Sequence, residues 1–108
     1  MGSSAPSDLL EFLKAVQARP GMYVPDHDLR VLETMIHGYS TALAAHSLSE
    51  FGNNFNRRFC DYLFARFKWS MSCGWAAALR EQYVEPVQSF GRFFELVSEF
   101  QRDTANNG

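Results

Sequence analysis

Phe90, Phe93, Phe94, Val97 and Phe100 recur at the spacing of a single helix face. Apolar side chains at i, i+3, i+4 and i+7 line one side of a 3.6-residue helix. This segment is therefore a helix whose aromatic side must be covered by something else. Val87 and Leu96 flank the stripe, and Gln88, Arg92, Glu95, Glu99 and Asp103 make the polar side. Pro86 suits the first helical position, where its missing N–H costs nothing. A face this heavy in phenylalanine needs several partners, so the rest of the chain has to supply them.

The same periodicity supplies helices. Leu9, Leu10, Leu13 and Val16 mark a first helix with Phe12 beside its stripe. Ser7 or Asp8 can cap it, and Glu11 lies where a capping box places its acid. Asp28 is a good cap for a second helix carrying Leu29, Leu32, Met35, Ile36, Tyr39 and Leu43. Gly38 weakens that helix by about 1 kcal/mol relative to alanine, and the small Ala42, Ala44 and Ala45 suggest close helix approach as compensation. The segment from Ser47 to Asn54 has loop chemistry. A third helix from about Asn54 to Lys68 turns Phe55, Phe59, Tyr62, Leu63 and Phe67 inward, and Ser72 can cap a short fourth through Trp75 and Leu79. The expected architecture is an all-α, compact bundle of about five helices. Residues 8–103 form one domain, 1–7 a flexible N-terminus and 104–108 a frayed tail.

Between the first two helices stands Arg19-Pro20-Gly21-Met22-Tyr23. A Pro-Gly pair suits a tight turn, with glycine accepting a positive φ at the second corner. Residues before proline leave the α region, so the first helix ends near Ala18. Met22, Tyr23 and Val24 are expected to run on as a short extended strap. The five residues also resemble the opening motif of gyrase-type ATPase domains. That resemblance fails on its neighbours: Glu33 has no asparagine four residues later, and no Asp-x-Gly-x-Gly loop follows. The match is convergence on one turn, and nucleotide binding is excluded.

A chain of 108 residues has room for one core. Ten Phe, four Tyr and two Trp are a heavy aromatic load, enough to leave some rings at a surface that meets another molecule. A net charge of −2 gives no global reason to bind nucleic acid or membrane. The N-terminus has no export signal, and no run approaches a membrane span. Cys60 and Cys73 could pair as one bridge of a secreted domain, but reduced, buried thiols of a cytoplasmic protein are the favoured reading.

Chemistry-bearing clusters are sparse. His27, His37 and His46 show no ligand spacing with one another or with the cysteines, so no metal or other cofactor is expected. Glu33 and His37, at i and i+4, read as an exposed helix pair, and the Asp26-His27-Asp28 loop as a cap with its approach. Cys73 precedes a helix start, where thiols are activated, but a small buried residue between Trp69 and Trp75 is the favoured reading. No catalytic residues are assigned.

Two charged groups remain. Arg57, Arg58, Arg66 and Lys68 lie on or near the aromatic third helix, a mixture that can clamp single-stranded nucleic acid. A solvated face with cation–π contacts is the plainer account. Glu81, Glu85, Glu95, Glu99 and Asp103 form the acidic counterpart. Glu95, Glu99 and Asp103 follow one another at i+4, a spacing that costs a few tenths of a kcal/mol per like-charged pair. A solvated face is again the plainer account, and an acidic ridge facing a basic partner the sharper one.

Taken together, Phe12-Leu13-x-x-Val16, Arg19-Pro20-Gly21-Met22-Tyr23, Leu32-x-x-Met35-Ile36-x-Gly38-Tyr39, Gly74-Trp75 and Phe93-Phe94-x-Leu96-x-x-x-Phe100 resemble the small helical immunity proteins that bacteria encode beside secreted toxins. Those of contact-dependent growth inhibition systems are included. The likeness spans most of residues 9 to 101 through short motifs. It implies a cytoplasmic, stoichiometric inhibitor, not an enzyme, that binds a cognate toxin domain. Many such toxins are nucleases with basic clefts. The acidic residues Glu81, Glu85, Glu95, Glu99 and Asp103 are the expected contacts, with Tyr83 as an aromatic anchor. A nucleic-acid-binding regulator using Arg57, Arg58, Arg66 and Lys68 is the alternative. A homodimer through surplus aromatic surface is compatible with either.

Overall fold

The structure, a computed structural model, describes residues 9–45 and 55–107. Among them are six α-helices and no strand: α1 (Leu9–Ala18), α2 (Pro20–Tyr23), α3 (Leu29–Ala45), α4 (Phe55–Phe67), α5 (Gly74–Gln82) and α6 (Pro86–Asn107), with a 3₁₀ turn at Pro25–His27. The all-α bundle is the architecture that the apolar periodicity predicts. Asp8 of the capping box, the 1–7 terminus and the Ser47–Asn54 loop with Phe51 lie outside the described residues. Leu43, Ala42, Ala44 and Ala45 lie outside the described side chains.

The centre of each inward stripe is buried, while Leu10, Met35, Tyr39, Tyr62 and Phe67 at its edges are half-buried. Leu9, Leu13 and Val16 come from α1, Leu29, Leu32 and Ile36 from α3, and Phe55, Phe59 and Leu63 from α4. Trp75, Ala76 and Leu79 come from α5, and Phe90, Phe93, Phe94, Leu96, Val97 and Phe100 from α6. The centre is aromatic. Trp75 stacks on Phe93 with ring centroids 4.5 Å apart. Phe59 meets Trp75, Phe93 and Phe100 edge-on, at 5.6 Å in each case. Phe55 in turn stacks on Phe59 at 5.1 Å. Offset and edge-to-face pairs add about 0.5–1.5 kcal/mol each beyond area burial, so α4, α5 and α6 are joined through one residue, Phe59.

The caps follow the chemistry of the chain. The Arg30 N–H donates to Asp28 Oδ1 at 3.0 Å, and the Val31 N–H to the Asp28 carbonyl at 3.1 Å. Pro86 opens α6, with the Ser89 N–H on the Glu85 carbonyl at 2.9 Å. The fourth predicted helix starts one residue later than a Ser72 cap implies, since Cys73 occupies that position.

Three expectations are corrected. The strap is a helical turn: Pro20–Tyr23 is α2, the Met22 N–H reaches the Arg19 carbonyl at 3.1 Å, and the Val24 N–H reaches that of Pro20 at 2.7 Å. Proline's fixed φ serves the first position of a helix as well as the corner of a β-turn, and Arg19 takes up the change of direction at φ −139 and ψ 67. Only Val24 is extended, and it is buried. The left-handed residues are not Gly21 but Asp26 and His27, at φ 57 and 55, with the His27 ring edge-on to Phe90 at 5.0 Å.

Secondly, Gly38 marks no close helix approach. It is exposed, and a Cβ there would have no neighbour within 4 Å. Thirdly, Cys73 is exposed and Cys60 only half-buried, because Cys73 falls in the turn before α5 and not on its inward face. The last helix, α6, runs to Asn107.

Two stability predictions follow from this packing. Phe59→Ala removes the ring common to three helices, and urea unfolding should show a loss of about 3–5 kcal/mol. Gly38→Ala fills open solvent in a helical position and should stabilise by about 0.5–1 kcal/mol. A loss of stability at position 38 would mean that the glycine serves a contact outside this fold.

Candidate functional site

The acidic and basic groups of α4 and α6 face each other. From α4, the Tyr62 hydroxyl donates to Asp103 Oδ2 at 2.6 Å. Arg66 Nη1 donates to the Tyr62 oxygen at 3.0 Å and to Glu99 Oε1. On α6, Arg92 Nη1 donates to Glu95 Oε1 at 3.0 Å and lies 3.7 Å from Glu99 Oε2. Arg92 Nε donates to the Tyr83 hydroxyl at 3.2 Å. The result is a continuous polar seam running Tyr83, Arg92, Glu99, Arg66, Tyr62, Asp103.

The seam tunes its own groups. Glu99, with help from Tyr62, raises the Arg66 guanidinium above its ordinary value despite some burial. Burial pulls Arg92 down, but Tyr83, Glu95 and Glu99 together carry it above its usual value. Burial and the bond to Asp103 push the Tyr62 phenol up, against Arg66. Arg66 and Glu99 are each part of an ion pair within the fold. The i+4 repulsion among the α6 acids is thus relieved from α4 as well as by Arg92.

The remaining basic candidates are dispersed. Arg57 is exposed. The half-buried Arg58 holds its guanidinium 5.5 Å from the Phe100 ring centroid. Lys68, left-handed at φ 63, holds its ammonium 5.5 Å from the Phe64 ring. Phe64 is 51% exposed, an aromatic ring left at the surface.

Of the acidic candidates and Tyr83, the structure brings Tyr83 and Glu95 together through Arg92, at the corner where α5 passes into α6. A shallow cleft of about 380 Å³ is lined by Tyr83, Val87, Gln88, Gly91, Arg92 and Glu95. Val84 is 81% exposed and Val87 65%. Glu81 and Glu85 are exposed beside them in the chain and enter no ion pair among the described residues. Val87, expected to flank the apolar stripe, lies exposed in the first turn of α6.

A second polar cluster was not anticipated. Glu33 of α3 is half-buried and reaches the first turn of α5, where the Ala76 N–H donates to Oε2 at 3.3 Å. Burial pushes its carboxyl above the ordinary range, while the Ala76 and Trp75 backbone N–H groups pull it down. Gly74 sits at φ +91 directly against Oε2, where a Cβ would overlap the carboxylate. Asn56 of α4 donates from Nδ2 to the Glu33 carbonyl at 3.2 Å and accepts the Trp75 indole N–H on Oδ1 at 2.8 Å. Glu33, Thr34, His37 and Asn56 line an open cleft of about 300 Å³.

Glu33 is therefore a helix cap supplied by another helix, not half of an exposed pair with His37. Its position carried the signal: it lies four residues after Leu29 and three before Ile36, both fully buried. Among the described residues no three of His, Cys, Asp and Glu are grouped to hold a metal. No described helix is long and apolar enough to cross a membrane. No protein-family model, curated protein or solved structure matches the chain.

A carboxyl whose folded pKa is raised binds its proton more readily folded than unfolded. Its contribution to stability is fully present below the unfolded value of about 4.3 and is lost as pH rises through the folded value. Glu33→Gln keeps an acceptor for the α5 N–H groups without the titration. Between about pH 4 and pH 7, the stability difference should move steadily in favour of the variant. A pH-independent difference in parallel urea titrations would show that Glu33 is not desolvated.

Proposed function

We propose that this chain is a stoichiometric protein-binding inhibitor of the toxin–immunity kind, and that it takes a basic face of its toxin partner at the α5–α6 corner. The observation that carries this reading is one pair of exposed valines, Val84 and Val87, on the same stretch of chain as the exposed Glu81 and Glu85, with Glu95 lining the cleft that Val87 enters. Exposed apolar residues ringed by charge are the composition of a docking face, with a dry centre and a polar rim. Tyr83 supplies an aromatic side wall whose hydroxyl is already held by Arg92.

The acidic rim adds rate and selectivity. Carboxylates around an apolar contact attract a basic surface during diffusion and repel acidic competitors. Glu99 and Asp103 are engaged by Arg66 and Tyr62 in the seam, which leaves Glu81, Glu85 and Glu95 as the acids of this face. The resemblance to immunity proteins supplies the class of partner, a toxin domain with a basic cleft. The alternative, nucleic acid on Arg57, Arg58, Arg66 and Lys68, has less support, because Arg66 is engaged by Glu99.

The test is calorimetry and stopped-flow mixing of the chain with the protein encoded beside it, at two salt concentrations. One-to-one binding that slows with salt and abolishes the partner's toxicity is expected. Reversing Glu81 and Glu85 to lysine should lower the association rate about ten-fold or more without altering stability. Full-strength binding by that double variant would place the contact elsewhere. A neighbour that neither binds nor is toxic would remove the reading.

A further inference from the structure

Cys60 and Cys73 are separated along the chain by the end of α4 and the Trp69 turn, but the fold returns both to one junction. Asn56, Phe59 and Cys60 share a face of α4, at the i, i+3, i+4 spacing of neighbours on a helix. Two of these three touch Trp75: Asn56 Oδ1 accepts its indole N–H at 2.8 Å, and the Phe59 ring meets it at 5.6 Å. Cys60, the third, packs against the same core cluster. Cys73 is the residue from which α5 springs, two before Trp75. Two trans peptide steps place its Cα within about 7.6 Å of that of Trp75. Cys73 is exposed and Cys60 half-buried, and the Trp75 backbone N–H lies against the Cys60 thiol.

We propose that Cys73 and Cys60 form an intramolecular disulfide that fastens α4 to the start of α5, and that Cys73 is the thiol through which a small-molecule disulfide enters. In the first step the Cys73 thiolate attacks one sulfur of the external disulfide. A mixed disulfide forms, and one small thiol leaves with the proton. In the second step Cys60 gives up its proton and attacks the Cys73 sulfur, releasing the second small thiol. Two protein thiols are oxidised and one external disulfide is reduced, so atoms and electrons balance without another reagent.

The order follows from access and chemistry. Cys73 is exposed, whereas burial, with the negative charges of Glu33 and Asp61, holds the Cys60 thiol above its ordinary value against the pull of the Trp75 backbone. A protonated, half-buried thiol reacts slowly with a reagent in solution but well with a sulfur held beside it. The turn can take up the closure: residues 68–73 are non-helical, and Gly74, at φ +91, already provides the sharp change of direction before α5.

The experiment incubates the folded chain with oxidised glutathione and follows intact mass, oligomeric state, far-ultraviolet circular dichroism and thermal midpoint. The expected product is a monomer lighter by about 2 Da, with both thiols lost, helicity unchanged and the midpoint raised. Cys60→Ser should stop at the glutathione adduct, and Cys73→Ser should react markedly more slowly than wild type. The proposal is overturned if wild-type protein stops at the adduct, links to a second copy, or does not react. Closure that lowers helicity or the midpoint overturns it equally, because the junction would then not be shaped for the bridge.

Discussion

Trp75 presents two large faces and one N–H, and a buried position must satisfy all three. Phe93 of α6 covers one face at 4.5 Å, Phe59 of α4 closes an edge at 5.6 Å, and Asn56 accepts the N–H at 2.8 Å. An indole N–H buried without an acceptor costs on the order of 1–3 kcal/mol, so the ring fixes the rotation of α4 as well as its distance. Once α4, α5 and α6 are set in this way, Asn56 Nδ2 meets the Glu33 carbonyl and ties in α3. The three-helix aromatic junction therefore determines where every polar group near it can lie.

The first of those consequences is the inter-helix cap. A nine-residue helix that begins after a turn leaves backbone N–H groups without intrahelical partners, and α5 has no side-chain cap of its own. Glu33 supplies one from α3, and its negative charge suits the positive end of the helix. Desolvation works against that benefit, which is why its carboxyl lies above its ordinary range. Gly74 is favoured by its positive φ, and a Cβ there would displace the Glu33 carboxylate.

The second consequence is electrostatic. Arg66 and the α6 acids, which could each have faced outward, meet along the α4–α6 seam because Tyr62 and Arg66 sit one turn apart on the side of α4 that faces α6. Paired charges in a partly exposed seam contribute about 0–1 kcal/mol to stability. Their larger effect is on the pattern of the surface. With Glu99 and Asp103 engaged in the seam, Glu81, Glu85 and Glu95 are the α5 and α6 acids still turned to solvent.

Local sequence determined the helices, because apolar spacing and capping residues act over a few positions: the Phe90–Phe100 stripe, the Asp28 cap and Pro86 needed no tertiary partner to be read. Pro20-Gly21 was only half legible, since one proline dihedral satisfies both a β-turn and a helix start, and the packing of Val24, Tyr23 and Phe12 selected the helix. The charged residues were legible as candidates but not in their pairing, because which face of α4 meets α6 is fixed by ring packing and not by spacing along the chain. Glu33, Gly74 and the two cysteines belong to this second kind. Their partners lie far along the chain, as with Glu33 and Ala76, 43 residues apart. Only the closed fold, by bringing distant backbone and side chains within hydrogen-bonding and van der Waals range, decided what each would touch.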